Sequence, residues 1–171
     1  CAGLTSYNAL RNSGARAGDI VAVLGIGGVG HLAVQFANKM GFRVVAVSRG
    51  SDKKQLAISL GADIYIDTES EEIATELQNL GGASVIFATA PDAELISSSV
   101  PGLTPRGRLY IVAAAHKPLM IPTPIILSGR SIHGWGAGNI RDSEEMLAFT
   151  LQREIRPQIK TFPLEQVAEA Y

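Results

Sequence analysis

Residues 20–30 read Ile-Val-Ala-Val-Leu-Gly-Ile-Gly-Gly-Val-Gly, and this stretch decides the fold. Its first five residues form a continuous apolar run, which is typical of a strand buried on both faces of a parallel sheet. Gly25, Gly27 and Gly30 follow directly with the spacing G-x-G-x-x-G. A glycine loop between a strand and a helix is the context that a dinucleotide-binding turn requires.

An amphipathic helix is predicted directly after the loop. Apolar residues recur there at helical spacing, at Val29, Leu32, Ala33, Phe36, Ala37 and Met40, and Gly41 provides a stop. Free N–H groups and the helix dipole at the start of this helix favour an anion, so we expect a pyrophosphate to bind there. The residues expected to contact it are Gly25, Gly27, Gly28, Val29 and Gly30. A glycine-rich turn without a ligand is the alternative.

Strands and helices continue to alternate along the chain. Further strands are predicted at 43–47, 63–66, 85–88 and 108–113, with a sixth, an edge strand, within 125–135. Helices are predicted at 52–60, 70–80, 92–98 and 142–153, with Ser51, Ser70 and Asp142 as N-terminal caps. This order predicts the α/β class and a Rossmann fold, a doubly wound parallel six-stranded sheet with helices on both faces.

The composition limits the possible function. The 171 residues are 46% hydrophobic and 18% charged, which supports a real core and argues against disorder. A net charge of -1 argues against nucleic-acid and membrane partners. The single cysteine excludes an internal disulfide and a Cys-only metal site. No apolar run reaches the roughly 18 residues of a membrane helix, and no signal peptide is visible, so we expect a cytoplasmic protein.

The end of the second predicted strand indicates which nucleotide is bound. Ser48 lies about 20 residues beyond the loop, where an NAD site places an acid for the ribose. Ser48 offers a hydroxyl instead, and Arg49 offers a planar cation that binds phosphate in a bidentate manner. Lys53 adds positive charge, so the sequence predicts NADP(H). Asp52, in the first turn of the next helix, is the competing acid and leaves NAD as the alternative.

Three motifs resemble the zinc-dependent medium-chain alcohol dehydrogenase superfamily. They are Cys-Ala-Gly-Leu-Thr-Ser-Tyr-Asn-Ala-Leu at 1–10, Gly-Ile-Gly-Gly-Val-Gly-His at 25–31 and Leu-Gly-Ala-Asp at 60–63. The resemblance runs over nearly the whole chain, and Ser48-Arg49 is similar to the NADP-preferring, cinnamyl-alcohol-dehydrogenase-like branch. It implies a cofactor-binding domain excised from a two-domain enzyme. Residues 1–155 would form the NAD(P)-binding domain and residues 156–171 a tail leading back to the missing catalytic domain.

The resemblance also implies site residues. Cys1 matches the third protein ligand of the catalytic zinc, and the other ligands would lie upstream. One cysteine cannot hold Zn²⁺, so no zinc is expected in this fragment. Thr5 would lie on the nicotinamide side. Because ligands bind beyond the carboxyl ends of parallel strands, the nicotinamide should be lined by residues at two strand ends, namely Ala88, Thr89, Ala90, Val112 and Ala113.

The implied activity is hydride transfer between NADP(H) and an alcohol/aldehyde pair, with the fragment alone binding cofactor but remaining inactive. A zinc-free quinone or enoyl reductase of the same superfamily is one alternative, and a non-catalytic nucleotide-sensing module is another. We expect a small-molecule substrate and a homodimer or homotetramer formed through the edge strand near Trp135. His31 is expected to be a capped or exposed helix residue.

Overall fold

Six parallel strands form one sheet in the computed structural model, which describes residues 1–170. They are β1 (Ile20–Leu24), β2 (Arg43–Ser48), β3 (Ile64–Asp67), β4 (Ala83–Ala88), β5 (Leu103–Ile111) and β6 (Ser131–Gly134). Their order in the sheet is β3-β2-β1-β4-β5-β6, and every neighbouring pair is parallel. The strand order therefore reverses between β1 and β4, and the predicted Rossmann fold is confirmed.

Helices cover both faces of this sheet. They are α1 (Ala2–Arg11), α2 (Gly30–Lys39), α3 (Lys54–Ser59), α4 (Ile73–Asn79), α5 (Ala93–Ser99), α6 (Thr123–Leu127), α7 (Ile140–Gln152) and α8 (Val167–Ala170). One core packs α1, α2 and α7 against the sheet, and the other packs α4 and α5 against the opposite face. On the first face, the rings of Tyr7, Phe36 and Phe149 join α1, α2 and α7.

The apolar run in β1 is continuous because the strand contributes to both cores. Successive side chains of a strand point to opposite faces. Val21 and Val23 belong to the first core, whereas Ala22 and Leu24 belong to the second, and all four are completely buried. A polar residue anywhere in β1 would therefore be buried on one face or the other.

Two of the predicted helix caps are wrong. Helix α3 begins after Lys53, not after Ser51, and no side chain caps it. Helix α4 begins after Glu72, not near Ser70, because Glu72 has the extended backbone of a cap. The Glu72 carboxylate accepts hydrogen bonds from the backbone N–H groups of Ala74 and Thr75, which have no partner within the helix.

The start of α7 also differs from the prediction. Asn139 is its cap, and Asp142 is the third helical residue of the capping box, not its first member. The Asp142 carboxylate accepts from the Asn139 N–H at 2.9 Å and also contacts Arg11 and Asn8 on α1. Asp142 therefore completes the capping box of α7 and also joins α7 to α1 through hydrogen bonds.

The sixth strand and the first helix also differ from the sequence prediction. The sixth strand is shorter than the interval 125–135, because α6 occupies 123–127 and β6 begins at Ser131. Helix α1 was not predicted, since its buried face includes Thr5, Ser6 and Asn8 and gives no apolar stripe. In residues 1–170, no helix is both long and apolar enough to cross a bilayer.

The first residues of the tail lie against α2. The Gln35 amide donates to the Arg156 carbonyl at 2.9 Å and accepts from the Arg156 N–H at 3.1 Å. Ile155, immediately before, is 3% exposed and belongs to the first core. The start of the tail is therefore held by both a buried side chain and a pair of hydrogen bonds.

Replacing Asp142 with Asn should make stability less dependent on pH. The hydrogen bond from Asn139, followed by the contacts with Arg11 and Asn8, lowers the pKa of Asp142. A lowered pKa in the folded state stabilises the protein above the unfolded pKa, and this contribution is lost as pH falls through the folded value. We expect Asp142→Asn to lower the melting temperature at pH 7, with the difference shrinking below about pH 4.

Thermal unfolding of wild type and Asp142→Asn, measured from pH 7 to below about pH 4, tests this prediction. Glu144→Gln, an exposed position on the same helix, is the control and should leave the melting temperature unchanged. A constant difference between wild type and Asp142→Asn at all pH values would contradict the assignment.

Candidate functional site

A cleft of about 550 Å³ lies at the carboxyl ends of β1, β2 and β4, where the strand order reverses. Open α/β sheets bind their ligands at this position. Four segments line the cleft: the glycine loop, the end of β2 with the turn into α3, the residue after β3, and the connection from β4 with the start of α5. The lining residues are Gly25, Ile26, Gly27, Ser48, Arg49, Lys53, Thr68, Thr89, Ala90, Pro91, Asp92 and Leu95.

The glycines of the loop have two different roles. Gly25 has a φ of 91°, which favours glycine, and its N–H donates to the Val47 carbonyl at 2.8 Å. A side chain on Gly30 would overlap the carbonyl oxygen of Gly25, so these two residues allow α2 to pack onto β1. Gly27 and Gly28 are exposed and have open space where a side chain would be. They leave the backbone accessible to a ligand at the start of α2.

Thr89 fastens the end of β4 to this loop. Its hydroxyl oxygen lies 2.9 Å from the carbonyl oxygens of both Leu24 and Gly25. The backbone N–H groups of Thr89 and Ala90 also donate to the Leu24 carbonyl. Thr89, predicted as a nicotinamide contact, therefore lines the cleft and also holds the loop in place.

The end of β2 brings a hydroxyl and two cations into the same cleft. Ser48 is buried, whereas Arg49 and Lys53 are exposed, and all three line the cleft beside Gly25 and Gly27. Within the described residues, the competing acid Asp52 is exposed and does not belong to the lining. This side of the cleft is therefore positively charged.

Several predicted residues lie beside the cleft and not in its lining. Gly28, Val29 and Gly30 continue the loop into α2. Ala88 is completely buried in the second core, because it is the last residue of β4. Val112 and Ala113 follow β5, one strand further along the sheet, and the Val112 N–H donates to the Ala88 carbonyl.

Five lining residues were not predicted from the sequence: Ile26, Thr68, Pro91, Asp92 and Leu95. Thr68 directly follows β3, and Pro91 and Asp92 follow β4, so the rule that ligands bind beyond strand ends could have found them. Leu95 lies inside α5 and gives no signal of this kind. The Asp92 carboxylate accepts hydrogen bonds from the N–H groups of Glu94 and Leu95 and so caps α5.

The start of the chain packs close to the loop through α1. The Ser6 hydroxyl, which is completely buried, lies 3.2 Å from the Val29 carbonyl oxygen. Thr5 is also buried, and its hydroxyl lies 3.8 Å from the sulfur of the exposed Cys1. Across residues 1–170, no group of three His, Cys, Asp or Glu side chains is placed to hold a metal ion. Cys1 alone does not meet the requirement of Zn²⁺ for three or four protein ligands.

His31, predicted to be a capped or exposed helix residue, is buried and therefore not exposed. Its Nδ1 lies 2.9 Å from the Gly27 carbonyl oxygen, and its Nε2 accepts from the Gln158 N–H at 3.0 Å. These partners assign a neutral ring with its proton on Nδ1. The imidazole therefore joins the loop to the tail and has no nitrogen left for a phosphate.

A parallel sheet with a glycine loop at the point where its strand order reverses defines a nucleotide-binding domain. Residues 28–152 match the family model described as zinc-binding dehydrogenase, so the chain belongs to this family. It has the fold and sequence of a cofactor-binding domain of the medium-chain alcohol dehydrogenase superfamily.

Individual relatives agree with this assignment. The alcohol dehydrogenase notN of Aspergillus sp. (strain MF297-2) is 42% identical over 171 residues, covering 100% of this chain and 50% of the relative. The alcohol dehydrogenase of Aeropyrum pernix has a TM-score of 0.89 at 28% identity, over 99% of this chain and 51% of that one. The structure of CAD from Helicobacter pylori in complex with NADP(H) has a TM-score of 0.83 at 28% identity, and the match covers 99% of this chain and 48% of that one. The chain thus spans about half the length of these relatives.

Adding a methyl group at Gly30 should destabilise the fold. The new Cβ of Gly30→Ala would overlap the Gly25 carbonyl group and crowd the Thr89 hydroxyl, which contacts the Leu24 and Gly25 carbonyl oxygens. We expect a loss of about 1–3 kcal/mol in the free energy of unfolding, typical of overpacking. Urea denaturation measures it. Gly28→Ala, with open space at the same loop, is the control, and an equal loss in both variants would contradict this explanation.

Proposed function

We propose that this chain binds NADP(H) in the cleft and serves an enzyme that transfers hydride between NADP(H) and an alcohol/aldehyde pair. The observation that carries the proposal is the convergence of an open glycine loop and a cationic strand end on one cleft. When bound, the cofactor supplies the hydride chemistry, and the protein supplies binding and orientation.

The loop suits the pyrophosphate of the cofactor. Helix α2 begins at Gly30, so the first N–H groups of the helix and the positive end of its dipole lie at the loop. Gly27 and Gly28 leave space there for two phosphate groups to approach the backbone. A side chain at either position would occupy that space.

The strand end suits a 2′-phosphate. Arg49 offers a fork of N–H donors that matches a phosphate, and Lys53 adds a second positive charge in the same lining. Ser48 contributes a hydroxyl without the negative charge that would repel the phosphate. The NADP(H) complex of the Helicobacter pylori relative supports this preference.

The named relatives are alcohol dehydrogenases, which supports an alcohol/aldehyde reaction over quinone or enoyl reduction. We also propose that Thr5, Val112 and Ala113 border the nicotinamide, and that Cys1 is one ligand of a catalytic zinc completed by residues outside this chain. Because the described residues do not form a metal site by themselves, they should bind cofactor without catalysing turnover.

Calorimetric titration with NADPH and then NADH tests the proposal. We expect NADPH to bind more tightly by about 1.5–3 kcal/mol, the range for hydrogen bonds between charged groups, and Arg49→Ala to remove the difference. Arg43→Ala, an exposed arginine at the opposite end of β2, is the control and should retain it. Equal or tighter binding of NADH would reject the NADP(H) assignment and make Asp52 the candidate for the ribose.

Self-association through β6, as a homodimer or homotetramer, is also part of the proposal. Among residues 1–170, strand β6 pairs only with β5 and has a free edge, and its Ile132 is 43% exposed near Trp135. We expect Ile132→Lys to reduce the mass measured by sedimentation. Ile58→Lys, 45% exposed on α3 beside the opposite edge strand β3, is the matched control. An unchanged mass for both variants would reject β6 as the interface.

A further inference from the structure

Two side chains of β3 hold the loop that follows β2. The Gly50 N–H donates to Asp67 Oδ1 at 2.8 Å, and the Gly50 carbonyl accepts from the Tyr65 hydroxyl at 2.7 Å. Tyr65 and Asp67 are two residues apart on one strand, so both side chains leave the same face of the sheet. Both polar groups of the Gly50 backbone are therefore held by neighbouring side chains of β3. We call this arrangement the Gly50 clamp.

The Gly50 clamp fixes the backbone on one side of Arg49. Gly50 has a φ of 66°, a left-handed conformation that turns the chain away from β2 towards α3. On the other side of Arg49, the Ser48 carbonyl accepts from the Thr68 N–H at 3.1 Å. The Arg49 backbone is therefore held between two points fixed by β3 and the residue after it, while its side chain is exposed at the cleft.

We propose that Tyr65 and Asp67 are positioning residues that set the cofactor preference by directing Arg49 towards the 2′-phosphate. The inference rests on the proposed function, because it concerns the same cleft. An arginine on a fixed backbone loses less freedom when it binds than one on a mobile loop, and the saved entropy appears as affinity. Neither positioning residue lines the cleft itself. Both act on Arg49 through the Gly50 backbone, and Tyr65 also contacts Ser48 in the lining.

The hydrogen bonds of Asp67 favour phosphate binding, whereas its negative charge opposes it. Its Oδ1 accepts from the N–H groups of Gly50 and Glu69, which orders the loop. Its negative charge, together with that of Glu69, opposes an incoming phosphate. When the carboxylate is removed, we expect the loss of ordering to outweigh the loss of repulsion, so NADPH should bind more weakly. A neutral side chain that keeps an acceptor oxygen should not weaken binding.

Tyr65 remains a donor over the neutral pH range. Burial raises the pKa of its hydroxyl, and the nearby carboxylates of Asp67, Asp52 and Glu69 raise it further, against a lowering contact with Ser48. Its ring belongs to the first core and is 8% exposed, so the side chain is held firmly beneath the loop. Tyr65→Phe removes only the hydroxyl and keeps this packing.

The experiment compares the ratio of the dissociation constants for NADH and NADPH, measured by calorimetry. We expect Tyr65→Phe to lower this ratio about fivefold, the effect of one lost hydrogen bond of about 1 kcal/mol. Asp67→Ala should also lower the ratio, with the loss of its two hydrogen bonds partly offset by the loss of its negative charge. Asp67→Asn should keep the ratio or raise it. A role in folding alone would change both dissociation constants equally and leave the ratio unchanged.

Two matched controls remove the same chemistry elsewhere. Tyr110→Phe deletes another buried hydroxyl that donates to a backbone carbonyl, that of Asn12. Asp63→Ala deletes another carboxylate that accepts a backbone N–H, that of Val44 near the start of β2. Both should keep the wild-type ratio. Hydrogen exchange at the Gly50 amide should quicken in Asp67→Ala but not in Asp63→Ala.

The outcomes separate this inference from the proposed function. If wild type prefers NADPH and the ratio does not change in Tyr65→Phe and Asp67→Ala, the Gly50 clamp has no role in preference and the proposed function stands. If wild type does not prefer NADPH, the titration of wild type alone rejects the proposed function, and this inference is rejected with it. If Asp67→Ala does not fold, the ratio measured for Tyr65→Phe decides the question.

Discussion

The contact between Gly30 and the carbonyl of Gly25 is the constraint on which the rest of the site depends. It brings the first turn of α2 against the end of β1 at a distance that no other residue at position 30 would allow. The positive end of the helix dipole is then placed at the carboxyl edge of the sheet, beside the ends of β2 and β4. A wider crossing would separate the open backbone of Gly27 and Gly28 from the cations that follow β2.

The loops at this edge lack the regular hydrogen bonds of helices and strands, and side chains of neighbouring elements supply the missing partners. Thr89 holds the loop from the β4 side, and His31 holds it from α2. Tyr65 and Asp67 hold the next loop from β3. Every buried polar side-chain atom among the described residues has a partner, as expected when the cost of leaving one unpaired is high. The cleft is therefore bounded by loops that side chains of neighbouring elements hold through hydrogen bonds.

Features coded by neighbouring residues could be predicted, and features that depend on distant residues could not. The apolar run of β1 and the spacing of the glycines led to the correct sheet, since strand burial and turn geometry are local properties. Ser51 and Ser70 are competent caps by type, but α4 begins after the extended residue Glu72, and α3 begins after Lys53 with neither an extended residue nor a side-chain cap. Helix α1 was missed because buried polar residues replace its apolar stripe, and Ser6 and Asn8 have partners that lie far along the chain.

By itself, the sequence determined the α/β class, the glycine loop at the start of α2, and the serine and arginine that stand where an acid would favour NAD. Only the tertiary structure decided that Thr68, Asp92 and Leu95 share one cleft with that loop. It alone revealed that β3 holds Gly50 and that His31 joins the loop to the tail. The physical reason is that a periodic pattern records which face of an element is buried, whereas a hydrogen bond between distant residues exists only after packing has brought them together.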